Sequence, residues 1–485
     1  MPKMPHSSWN LSNMSGLLPK HRRADAPRVR RRSFVSTKAP PRQYKQAPKL
    51  ASPRAIGYSG TLFCRQGRRM LKAGYGQVEI TPTGPVPLGG YFTLRDRISE
   101  GLRDPLFVRA LAFDDGKTRF VLVVYDLLLI SEQMVQGLRS LLGDAQASVL
   151  LCATHTHSAP GGFWDTFVAR LALGGARPGM LSFLVDAGAR AARAALGDLA
   201  PATWAVHTDR IPSLAKNRRD KAGPVDPGLW TLRISRARKG GDLLLVGFPG
   251  HPVIVAERAF KMVSADFPGE VVRRLEAIDG VAHAVFVNGA LGGVDVFFPE
   301  APIGADENLA LQAAPIAEAA AKVLAAGLRQ KGRLAFASHE EPLPARTDVR
   351  PMFDDQPRWA AAVAPLARLA GYAFSRARID RYRLQGFALD EAVFVGAPAD
   401  LGVSVSLAIQ EAARARGFAA PFVASQCDGY IGYLHRRDDY RRAPSKETLG
   451  MAIYENVMGM FGREMGERLL VAASRLLGEL ADERT

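Results

Sequence analysis

From Ala73 onward, short unbroken apolar runs alternate with amphipathic segments, and most runs stop at a Gly or Pro. That texture constrains the fold more than any other feature. A strand covered on one face alternates apolar with polar residues, whereas a strand covered on both faces is apolar throughout. Strands of the second kind are read at 106–113, 119–126, 148–153, 243–248, 283–287 and 391–396. Helices are read at 131–142, 181–196, 268–277, 308–327, 358–370, 401–416 and 461–482. Their order predicts an α/β fold in which one large mixed sheet carries helices on both faces, forming a single domain over residues 73–485.

Residues 1–72 read differently. They hold seventeen Lys and Arg against a single acid, Asp25, and so carry +16 of the net +17, leaving the remainder close to neutral. This Pro-, Ser- and Arg-rich stretch has no helical or strand period, and disorder is expected. It reads as a basic interaction arm, a targeting segment or sequence upstream of the true start. Because the excess charge belongs to this stretch, no nucleic-acid partner is expected of the domain. Cys64, Cys152 and Cys427 are too few for a disulfide framework and include no CxxC pair. The apolar run 120–130 is shorter than the ~20 residues of a membrane span and contains Asp126. No secretory signal is recognisable, so a soluble protein is expected, cytoplasmic by default and secreted if the true start lies elsewhere.

Chemistry collects where strands end. SVLLCATHTHSAPGG (148–162) leads into His155 and His157, and LLLVGFPGHPVIV (243–255) into His251. AVFVNGALGGVDV (284–296) reaches Asp295, and AVFVGAPADLG (392–402) reaches Asp400. Strand ends followed by Gly/Pro turns are where open α/β sheets place ligands. Residues two apart on an extended chain face the same side, so His155 and His157 can address one ligand. Imidazoles with a carboxylate suit Zn²⁺, which activates a bound water for attack on a carbonyl. His6, His21, His207, His283 and His339 are read as structural or solvated, and Asp126 as a helix N-cap.

ATHTHSAPGG, with VEITPTGPVPLGGY (78–91) and LRDPLFVRALAF (102–113), resembles the neutral/alkaline ceramidase family, zinc-dependent amidases acting on N-acyl sphingosine. KNRR (216–219), FPGHP (248–252), SADFPGE (264–270), NGALGG (288–293), GAPADLG (396–402) and YIGYL (430–434) extend the resemblance over roughly 73–445. It implies zinc ligation by His155, His251, Asp400 and Tyr433, with Tyr430 as the register alternative. It makes His157 the proton shuttle and Arg218 the contact to the substrate amide. The implied substrate is ceramide or another N-acyl compound, a lipid or a small molecule, and a lipid substrate would bring a peripheral membrane contact.

The sequence departs from the family in three places. Asp295 stands where the family carries a proposed catalytic serine, and it is left to orient His157, accept a proton or bind metal. Asp400 replaces a glutamate and is shorter by one methylene. No counterpart of the β-rich C-terminal module follows the catalytic domain. The alternative reading is a catalytically inactive relative that binds a lipid or small ligand on the same scaffold. LALGGARPGMLSFLV (171–185) is apolar enough to line an acyl channel, although helix burial accounts for it equally well.

Overall fold

The computed structural model describes residues 69–91, 95–143, 147–165, 167–236, 240–301, 303–330, 332–344, 380–440 and 447–484, with Met352 and Pro365. Pro365 apart, the helix expected at 358–370 lies outside these residues, as does the basic stretch up to residue 68. Leu71 is fully buried and Lys72 opens the first strand, so the folded part includes the last residues assigned to the basic stretch.

Two sheets form the centre. The larger is built from β1 (Lys72–Glu79), β2 (Phe107–Asp114), β3 (Arg119–Tyr125), β4 (Ser148–Ala153), β5 (Ala200–Arg210), β6 (Gly228–Arg236), β7 (Asp242–Phe248) and β8 (Val281–Asn288). Its order is β8-β7-β6-β5-β1-β2-β3-β4, antiparallel except for a parallel pair at each end, β3/β4 and β7/β8. The smaller runs β9-β10-β11-β12, from β9 (Leu334–Pro342), β10 (Arg381–Leu389), β11 (Ala392–Gly396) and β12 (Ala420–Ala424), with β11/β12 parallel. The fold is mixed α/β, as the sequence predicts, but the strands divide between two sheets rather than forming one.

The division follows from side-chain alternation. Leu111, Phe113, Phe120, Leu122, Trp204, Trp230 and Leu245 from the large sheet meet Phe387, Leu389, Phe394 and Phe422 from the small one in a shared core. Rings stack across it, with the Phe120–Phe387 and Trp230–Phe422 centroids 4.8 and 5.7 Å apart. The outer face of the large sheet is covered by α1 (Glu132–Leu142) and α2 (Met180–Gly197) on one half, and by α3 (Asp266–Glu276) and α4 (Ala305–Ala321) on the other. The small sheet turns its outer face to α5 (Val403–Arg414) and α7 (Met465–Arg484), while α6 (Leu449–Met458) lies between them in sequence. The central strands are thus covered on both faces, which is why they read as unbroken apolar runs.

The large sheet curls around the small one until its end strands, β4 and β8, touch. The histidine-bearing turns follow β4 and β7, and Asp400 follows β11, so the histidines and Asp400 each come after a strand that pairs in parallel with a neighbour. Asp126 caps no helix: its Oδ2 accepts from the Phe107 amide (2.9 Å) and pairs with Arg109 (2.8 Å), while Ser131 caps α1. Among the described residues, no helix is long and apolar enough to cross a membrane.

Candidate metal and catalytic site

His155 leaves β4 in the left-handed region, with φ 66°, a region that residues other than glycine enter uncommonly. Two contacts hold it there. Its amide donates to Leu127 O (2.9 Å), and its Nδ1 lies 2.7 Å from Leu128 O. A carbonyl only accepts, so Nδ1 carries the proton and Nε2 is left as a bare acceptor. His251 is held in the same way, with Nδ1 3.2 Å from Leu291 O. The two Nε2 atoms then face one another at 3.2 Å.

The Nε2 of His157 joins them, 3.3 Å from that of His155. His155, His157 and His251 form a buried group whose ligand atoms all lie within 4.8 Å of one another, the spacing of a metal site. Asp400 Oδ1 is 3.5 Å from His155 Nε2, and Tyr433 Oη is 3.4 Å from His251 Nε2. Burial depresses all three imidazole pKa values, those of His157 and His251 most, so the rings are neutral. Neutral nitrogens with lone pairs directed at one point, beside a carboxylate and a phenol, are a donor set suited to Zn²⁺.

The alternative register for tyrosine resolves into two separate contacts. Residues 400–401 pair in parallel with residues 433–434, which places Tyr433 against His251 while Tyr430 donates to Asp400 Oδ2 (2.9 Å). Gln426, also left-handed at φ 59°, donates to the other oxygen, Oδ1, at 2.5 Å. The Asp400 amide donates to Gly432 O, and the Gly292 backbone lies alongside.

Three comparisons bear on this arrangement. Residues 71–269 match the family model described as neutral/alkaline non-lysosomal ceramidase, N-terminal. The match covers about two fifths of the chain. The neutral ceramidase of Mycobacterium tuberculosis is 29% identical over 180 residues, covering 34% of this chain and 28% of that protein, so the match spans little more than a quarter of the curated relative's length. The crystal structure of neutral ceramidase from Pseudomonas aeruginosa superposes with a TM-score of 0.67 at 19% identity, over 86% of this chain and 75% of that one. A structure titled as ceramidase complexed with C2 gives 0.66 at 18%, over 85% and 75%. The ceramidase-type fold is therefore shared well beyond residue 269. The family match itself contains His155, His157, Arg218 and His251 and stops before Asp295, Asp400 and Tyr433.

Beside the histidines lies a charged cluster that sequence reasoning only partly found. Arg218 donates to Glu455 Oε1 (2.7 Å), Asp295 Oδ1 (3.2 Å) and Tyr433 Oη (3.0 Å). Asp295 is thus a counterion of Arg218, and its side-chain hydrogen bond goes there and not to His157. Glu455, fully buried on α6, also takes Arg219 (3.1 Å) and the Gly293 amide (3.1 Å), and lies 3.0 Å from His435 Nε2. Burial alone would raise its pKa, yet Arg218, His435 and Arg219 hold it well below the carboxylate range. In YENVM, Glu455 looks like any acid on a helix, and no local signal marks it.

Asn288 is the second residue left without a role. Its Nδ2 donates to Thr154 O (3.0 Å) and Gly250 O (2.9 Å), and its Oδ1 accepts from the Gly250 amide (3.2 Å). One side chain therefore fastens together the turns that carry His155 and His251. Its signal was present in the NGALGG segment, where a polar residue ends an otherwise apolar strand.

A mostly apolar cleft opens onto the histidines. Leu128, Leu129, Trp164, Ala172, Leu173 and Met458 line it, and His157, Asp400 and Tyr430 form its polar end. Of the apolar stretch 171–185, only its first residues reach the cleft. Leu184 and Val185 are buried in the core against α1.

Proposed function

We propose that the chain is a zinc-dependent hydrolase that cleaves the amide bond of ceramide or a smaller N-acyl compound. The observation that carries this reading is the pair of imidazoles whose Nδ1 atoms are fixed on backbone carbonyls while their Nε2 lone pairs face each other. Without a cation between them, two such acceptors repel; with one, the arrangement is satisfied. His155, His251, Asp400 and Tyr433 would hold the ion, which when bound polarises a carbonyl and lowers the pKa of a coordinated water.

The remaining steps belong to the chain's own groups. His157, kept neutral by burial, accepts a proton at Nε2 from the attacking water and returns it to the departing amine. Arg218, anchored on Glu455 and Asp295, directs its positive charge at Tyr433 and at the developing oxyanion. The apolar cleft excludes water and receives an acyl chain, with its polar end at the reacting amide. No serine is required, so Asp295 does not break the scheme.

A panel of fluorogenic N-acyl amides and short-chain ceramides, with and without chelator, tests the reading. Turnover that disappears on chelation and returns with zinc is the expected result. Silence across all chain lengths, with zinc bound, would favour a non-catalytic binder instead.

Gly90 supplies a sharper check on His157. It sits at φ 110°, and a Cβ placed there would lie 2.4 Å from His157 Nδ1. Gly90→Ala should displace that ring while leaving His155 and His251 in place. Zinc content is expected to stay at the wild-type level while kcat falls at least ~100-fold, the contribution of one general acid–base group. Unchanged kcat would remove His157 from the mechanism.

A further inference from the structure

Cys152 and Cys427 face each other beneath the histidine cluster, three residues before His155 and directly after Gln426. They are partners in an isolated antiparallel bridge, each about 1% exposed, with Sγ atoms 2.9 Å apart. The flanking bonds run from the Ala153 amide to Gln426 O and from the Asp428 amide to Leu151 O. Cys152 and Cys427 are therefore a non-hydrogen-bonded pair, in which opposing Cα atoms approach to about 4.5 Å. That separation lies within the range a disulfide spans, and the sulfurs need to move less than about 1 Å to reach the ~2.05 Å bond. Gly396 leaves room for the pair: a Cβ there would come within 2.9 Å of Cys427 Cβ.

We propose that Cys152 and Cys427 are a redox site that closes, under oxidising conditions, into a disulfide tying the end of β4 to the turn after β12. The oxidant is a small-molecule disulfide such as oxidised glutathione. One cysteine attacks it to form a mixed disulfide, and the second displaces the remaining half. The oxidant's S–S bond breaks, its two sulfurs leave as thiols with the two protons and two electrons, and the Cys152–Cys427 bond forms. Burial raises both thiol pKa values, so closure in the folded protein is slow and the bond, once made, is shielded from reductant. The link joins segments 275 residues apart. It fixes the strand that presents His155 against the turn whose Gln426 holds Asp400.

The test uses the full-length protein held with excess oxidised glutathione until its alkylation pattern stops changing. The protein is then unfolded in iodoacetamide and digested without reductant for mass spectrometry. A peptide linking Cys152 to Cys427 in most chains is expected, with Cys64 alkylated. The oxidised form should melt several degrees higher, a gain abolished by dithiothreitol and absent from Cys427→Ala. Full alkylation of both Cys152 and Cys427, or a dominant link through Cys64, would overturn the proposal. Because the linked peptide is scored without an activity assay, the outcome is separate from the reading of the chain as a hydrolase.

Discussion

His251→Ala should leave the purified protein without its zinc. The wild type is expected to retain close to one ion per chain through dialysis against a weak chelator, and the variant almost none. His251 is the ligand candidate drawn from the other end of the curled sheet, so its loss removes the convergence on which the site depends. The expected fall in zinc affinity exceeds the roughly 10- to 100-fold cost of losing a group that only hydrogen-bonds a ligand. His155→Ala should behave alike. Thermal melts give a second readout, because a ligand bound to the native state alone raises stability by about 2.7 kcal/mol at a hundredfold excess over Kd. Added zinc should raise the wild-type Tm and leave that of either variant unmoved. One zinc per chain in the double variant would show the ligand assignment to be wrong.

Glu455→Ala should destabilise the fold strongly. Glu455 is fully buried and pairs at once with Arg218 and Arg219, so its removal leaves two buried guanidinium groups short of their counterion. Breaking a buried pair by deleting one partner costs about 3 to 5 kcal/mol. The shift should appear as a lower urea midpoint. Glu447→Gln, at the exposed pair with Lys221, should leave the midpoint where it is, since solvent screens that contact. The pH dependence has a definite sign. The folded pKa of Glu455 lies below its ordinary value of 4.5, so its contribution is complete above about pH 4.5 and is lost as pH falls toward the folded value. Glu455→Gln should therefore flatten the acid limb of the stability curve. An unchanged acid limb would mean that the carboxylate is not held ionised by its neighbours.

Much of the site could be read from the chain because its components sit where apolar strands end. His155, His157, His251 and Asp400 each follow such a strand, and all of them come together. The strands missed are mainly antiparallel, such as β1, β5, β6, β9 and β10, whose polar and apolar residues mix because one face or one end reaches solvent. With them went the division into two sheets, which depends on which face each strand turns inward. Glu455, Asn288, Gln426 and His435 were missed for another reason. Each acquires its role from a partner at least twenty residues away, and, Asn288 at its strand end apart, their local sequence carries no mark of it. Tyr430 and Tyr433 are indistinguishable by spacing, and only the pairing of 400–401 with 433–434 separates their contacts.

The curl of the large sheet works like an arch, and on the proposed reading its closing stone is an ion. Its two feet, β4 and β8, are the first and last strands across eight, so a slight flattening anywhere along the span widens the gap between the imidazoles. Metal affinity in this protein should therefore report on the curvature of the whole sheet, and substitutions in strands remote from any ligand can be sought by their effect on zinc release.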